Sequence, residues 1–121
     1  MSYVDGFIIA VPTANKQKFI DHAGQFDPIF LKYGATRVIE TWEDDVPDGT
    51  ITDFRRAVQA TAEESVAFSW VEWPDKASRD AGTAKMMEDP CMDPSNPDNP
   101  PMPFDGRRMI FGGFSTLLEL K

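Results

Sequence analysis

The run Ser65 to Trp73, SVAFSWVEW, restricts the fold of this chain more than any other stretch, because it is apolar and aromatic in both of its alternating sets. Successive side chains of a strand point to opposite faces, so Val66, Phe68, Trp70 and Glu72 share one side while Ala67, Ser69, Val71 and Trp73 share the other. A strand of this kind needs cover on both faces. Helices of the same chain are expected on one face and a second subunit on the other.

The flanking segments supply those helices. Val4–Val11 has the β-branched density of a strand, and Pro12 ends it. Thr13 is placed to cap a helix whose Phe19, Ala23, Phe26, Phe30 and Tyr33 recur at spacings of three and four, with Gly34 closing it and Pro28 kinking or restarting it near Asp27. Thr36–Asp44 alternates as a second strand, and Val46-Pro47-Asp48-Gly49 reads as a turn. Asp53 caps a short helix, and Asp75 caps a longer one whose Ala77, Ala81 and Ala84 form a small-residue stripe suited to close approach to a sheet. Gly82 is expected to weaken that helix modestly. Residues 89–103 hold six prolines and are expected to form an irregular surface loop. Arg107–Phe114 is the fourth strand, with Gly112-Gly113 marking a bulge or a close backbone approach, and the tail TLLELK either extends the sheet or docks elsewhere.

The resulting order, strand, helix, two strands, helix, strand, is that of a ferredoxin-like α+β domain with an antiparallel sheet and both helices on one face. At 121 residues the chain has room for this one domain, spanning 1–121. The bare face would carry either the Phe68 and Trp70 set or the Val71 and Trp73 set, an apolar patch larger than monomers ordinarily expose. A two-fold homodimer packed sheet to sheet into a shared barrel covers it, and is preferred over a monomer whose loops cover the sheet.

Charge and composition exclude several classes. Twelve basic against twenty acidic residues give a net charge of −8, which opposes phosphate neutralisation and argues against nucleic acid as a partner. No apolar run reaches the roughly 20 residues of a membrane span. The opening MSYVDGFIIAVP lacks the basic segment and cleavage site of a signal peptide, and the single Cys91 suits a reducing compartment, so a cytoplasmic setting is expected. Cys91 lies beside Asp89 and Asp93, which disfavour its thiolate and a catalytic role. There is no phosphate-cradling glycine loop and no metal-ligand spacing, so neither a metal nor an organic cofactor is implied.

Four blocks, MSYVDGFIIAVPTANK, VPDGTITDF, FSWVEWPDKASRDAG and MPFDGRRMIFGGF, closely resemble the YbaA-like family of uncharacterised bacterial proteins. The resemblance runs almost end to end. It implies the fold of the dimeric α/β-barrel superfamily and supplies no catalytic residues. Two features depart from it: Arg55 stands where proline is usual, and Asp93–Pro101 reads as an insertion.

Candidate chemistry therefore rests on individual residues. His22, the only histidine, lies at the edge of the helical stripe and is the first candidate for proton transfer, although a structural role at the core boundary is the more ordinary one. Glu40 and Trp42 share a face of the second strand, and Trp70 and Glu72 share a face of the third, so the four could form an aromatic box holding acids. His22, Glu40 and Glu72 are thus the catalytic candidates, and Phe26, Trp42, Trp70 and Arg37 the candidate ligand contacts. Three functions compete: a homodimer binding a small organic molecule between helix and sheet; a cofactor-independent monooxygenase- or isomerase-like enzyme with His22 or a strand glutamate as acid or base; and an interaction module without a pocket.

Overall fold

A computed structural model describes residues 1–93 and 95–121. β1 (Tyr3–Pro12), β2 (Arg37–Trp42), β3 (Glu64–Trp73) and β4 (Ile110–Ser115) form one antiparallel sheet in the order β2-β3-β1-β4. α1 (Lys16–Lys32) follows β1, the single turn α2 (Phe54–Ala57) lies between β2 and β3, and α3 (Lys76–Glu88) follows β3. This is the ferredoxin-like α+β arrangement expected from the element order.

Register assigns the two faces of β3. Residues directly opposite in an antiparallel pair share a side, and Phe7 faces Ser69, Asp5 faces Val71 and Tyr3 faces Trp73. Trp73 and Val71 are buried with Tyr3, Ala35 and Met86 beneath α1 and α3, while Ile9, Val11, Phe19 and Ala67 form the neighbouring cluster. The Val71 and Trp73 set is therefore the covered one. The other set is bare over most of its length: Phe68 is 42% and Phe114 63% exposed. At one end the β2–β3 connection covers it, with Val58 buried against Ala10 and Val66.

Several local expectations are met. Asp53 and Asp75 accept hydrogen bonds from the backbone N–H groups of Arg56 and Ser78, each at 2.7 Å, and so cap α2 and α3. Gly34 ends α1 at φ +113°, in the region that favours glycine. Gly113 is a close approach and not a bulge: β1 and β4 pair without interruption, and a Cβ there would lie 2.2 Å from the Tyr3 hydroxyl.

Other expectations are corrected. α1 runs through Pro28 without restarting, and its first turn is a 3₁₀ segment, Thr13–Asn15. Thr13 does not cap it, because its hydroxyl is engaged by that of Ser65 at 2.7 Å. The reversal after β2 is spread over bends at Asp44–Asp45 and Thr50–Ile51, with Asp53 holding the Gly49 N–H at 3.1 Å, and Val46–Gly49 is not a tight turn. In α3 the alanines face solvent, and the buried residues are Gly82 and Met86. Alanine is favourable on an exposed helix face for its propensity alone, so small size was a poor guide to burial. The tail beyond β4 does not extend the sheet; Thr116 bonds to Ser2, and Leu117, Leu118 and Leu120 are exposed.

Gly82 is the point where α3 meets the sheet. A Cβ there would stand 2.6 Å from the Trp73 ring and 2.5 Å from the Tyr33 carbonyl oxygen. Gly82→Ala should thus destabilise the protein by about 2–3 kcal/mol through overpacking, despite the better helix propensity of alanine. Urea unfolding checks the sign: a stabilised variant would mean that α3 shifts freely over Trp73.

Candidate functional site

Between α1, the helix-facing side of the sheet and the proline-rich loop lies a cavity of about 650 Å³. Its walls are mainly aromatic and aliphatic, including Phe7, Phe19, Phe26, Phe30 and Phe104, with Met92, Pro97 and Met102 contributed by the loop. The loop is not wholly irregular, since Pro90–Met92 forms a 3₁₀ turn; among its other described residues there is no helix or strand, and part of it forms a wall of this space. Asn15 fixes its far end by donating to the Pro103 carbonyl at 2.9 Å.

The sequence delivers His22, Asp27 and Glu40 to this wall from α1 and β2, and Asp93 from the loop. The α1 stripe carries His22 and, four residues after Ala23, Asp27; Glu40 projects from the facing side of β2. His22 packs against Phe26 with ring centres 4.5 Å apart, and burial lowers its pKa, the Glu40 charge opposing this in part. The neutral imidazole is the favoured form. Asp27 and Glu40 both line the cavity and an outer groove bounded by Ile20, Gly24 and Leu31, Asp27 from α1 and Glu40 from the edge strand. Ser69, directly opposite Glu40 in the β2–β3 register, donates its hydroxyl to the Glu40 carboxylate.

Burial is the main cause that raises the Asp27 pKa to about 8, and the hydrogen bond to Glu40 and that residue's charge add to it. Asp27 therefore keeps its proton through neutral pH. Because the folded-state pKa lies above the unfolded value, the folded chain binds more protons, and this contribution is complete below the ordinary carboxylate range and lost as pH rises toward about 8. The melting temperature should fall on going from about pH 6 to pH 8.5, and Asp27→Asn should remove about 3–6 °C of that fall. Parallel melts of the two proteins across this range test it, and identical slopes would show that Asp27 is ionised throughout.

The expected aromatic box divides between the two faces. Glu40 pairs with Ser69 and Trp42 with Ala67, on the helix side, whereas Trp70 is opposite Ile39 and Glu72 opposite Arg37, on the bare side. Trp42 packs on Phe19 with Lys16 5.5 Å above its ring. Glu72 accepts a hydrogen bond from the Trp70 indole at 3.0 Å and lies 3.8 Å from the exposed Arg37 guanidinium. The structure thus gathers His22, Phe26 and Glu40 at the cavity, and sets the Trp70 indole, Glu72 and Arg37 on the opposite face.

Asp27 and Ser69 were missed by sequence reasoning. Asp27 precedes a proline, yet it continues the stripe one turn beyond Ala23. Ser69 is the one hydroxyl among the helix-facing residues of β3 from Ala67 to Trp73, a signal that was available. Among the described residues, no group of three or more His, Cys, Asp or Glu side chains is gathered to hold a metal ion.

This chain is similar to known proteins over nearly its whole length. It is 49% identical over 119 residues to "Uncharacterized protein YbaA" of Escherichia coli K12, covering 98% of this chain and 99% of that one, and equally so to the protein of that name from Shigella flexneri. Among solved structures it resembles a dimeric ferredoxin-like protein from an uncultured marine organism, with a TM-score of 0.61 and 11% identity over 98% of both chains, a likeness of fold alone. Residues 2–106 match the family described as "Protein of unknown function (DUF1428)", and the chain belongs to that family.

Proposed function

We propose that this protein is a cytoplasmic homodimer that binds a small organic molecule in the cavity between α1 and the sheet. The observation that carries the binding reading is the cavity itself: about 650 Å³, largely apolar, with a few convergent polar groups from separate elements. The space under α1 is open where a pocketless interaction module would be packed. The bare sheet face and the three exposed leucines of the tail support self-association, and the ferredoxin-like neighbour is itself dimeric. The exposed thiol of Cys91 supports a reducing compartment.

The test fills the cavity. Ala23 lines it from α1, and Ala23→Phe would occupy the space a ligand needs. Small aromatic metabolites screened by thermal shift should include compounds that stabilise the natural protein and not the filled variant. Equal stabilisation of both proteins would place the ligand elsewhere and remove the cavity from the function.

The Asp27–Glu40 pair favours a second reading, a cofactor-independent enzyme. A carboxyl group that keeps its proton near neutrality can give it up and take it back, which general acid–base chemistry requires. Here Asp27 would be the acid and Glu40 the group that holds its proton in place.

A further inference from the structure

The polar groups of the cavity have one electrostatic character. Asp27, Glu40 and Asp93 line it together with the neutral-favouring His22, and among the described residues no lysine or arginine does. A carboxylate or phosphate ligand would enter an apolar space with no cation to meet it, at a cost that burial makes large. Two of these acids come from neighbouring elements of the fold. Asp27 on α1 and Glu40 on β2 both line the cavity and the outer groove beside it, and phenylalanines from α1, β1 and the loop line the same cavity.

Resting on the reading of this cavity as a ligand site, we propose that its ligand is an organic cation, an amine on a flat hydrophobic body, with the ammonium seated between Asp27 and Glu40. The ammonium takes the place of the Asp27 proton, which leaves for solvent, so that Asp27 meets the charge as a carboxylate. Ser69 holds the Glu40 carboxylate from the β3 side. Phe26 and Phe104 line the same cavity, and the face of an aromatic ring attracts a cation. The net charge of −8 draws cations toward the chain as a whole.

Three probes of one shape separate the alternatives: 1-naphthylmethylamine, 1-naphthylmethanol and 1-naphthoate, titrated calorimetrically at pH 7 into the natural protein, Asp27→Asn and Glu40→Gln. Charge-assisted hydrogen bonds should make the amine bind at least about tenfold tighter than the alcohol, with the acid weakest. Amine binding should release close to one proton, read from the difference in heat between phosphate and Tris buffers, and alcohol binding none. Asp27→Asn should abolish the proton release, and Glu40→Gln should reduce the preference for the amine to about twofold or less. Both variants are near-isosteric, and circular dichroism and melting confirm their folding before titration. Amine and alcohol binding equally well, or the acid binding tightest, would overturn the cation inference and leave the cavity as a ligand site. Failure of all three probes to bind below about 10 mM would overturn the pocket reading and this inference with it.

Discussion

Asp5→Ala is expected to destabilise the folded protein by about 3–5 kcal/mol, the cost of leaving a partly buried charge and an indole N–H without their acceptor. Asp5 sits near the start of β1 on the helix-facing side, 8% exposed. One carboxylate oxygen accepts from the Trp73 indole at 3.0 Å, and the other accepts from the Arg79 guanidinium at 2.9 and 3.1 Å. This one side chain ties β1 to the end of β3 and to α3. Arg79 retains Asp80 at 3.0 Å and lies over the Tyr3 ring, which favours the lower half of the range. Asp5→Asn keeps an acceptor for Trp73 while removing the charge, and should cost about half as much. Urea midpoints at unchanged slope measure both variants. A loss below about 1 kcal/mol for Asp5→Ala would mean that Arg79 is fully satisfied from α3 alone.

In the sequence Asp5 is one acid within an otherwise apolar first strand. The structure shows why an acid stands there. It is the acceptor that lets a tryptophan and an arginine pack at the foot of α3. Strand content, helix caps at Asp53 and Asp75 and the βαββαβ order were legible because each follows from local chemistry: alternation, a capping side chain, a proline. What could not be read locally depends on partners distant in sequence. Gly82 looked like a weak point in a helix and is required by Trp73 and the Tyr33 carbonyl. The alanine stripe of α3 looked buried and faces water, since the helix is oriented by Gly82 and Met86.

The candidate site shows the same division. His22, Phe26 and Glu40 could be proposed from residue type and periodicity, and all three line the cavity. Pairing Glu40 with Glu72 required the β2–β3 register, which sequence alone does not supply. A shift of one residue moves every side chain to the other face, and the observed register sets Glu40 beside Ser69 and Glu72 beside Arg37. Asp27 was invisible as a functional group because its unusual protonation arises first from burial beneath the folded elements around it and then from Glu40 on another element. In the sequence it is one of twenty acids.

Phe68→Asp should convert the proposed dimer to a monomer while leaving the chain folded. Phe68 is central on the bare face: it lies opposite Ile8 on β1 and Thr41 on β2, and its ring meets those of Trp70 and Phe54 at 5.7 and 6.1 Å. In a single chain the position is 42% exposed, so an aspartate there remains hydrated and costs little. In a two-fold assembly packed sheet to sheet, the same substitution buries two carboxylates without partners, one from each subunit. At several kcal/mol per buried charge, the dissociation constant should rise by at least about a thousandfold. The fully helix-facing Val71 provides the contrast, since Val71→Asp places the charge in the core and should unfold the chain instead. Sedimentation velocity at micromolar concentration, with circular dichroism as the check on folding, separates the two effects. A natural protein that sediments as a monomer, or a Phe68→Asp variant that remains dimeric, would locate the association surface away from this face and leave the exposed Phe68, Ile110 and Phe114 without the cover that their chemistry demands.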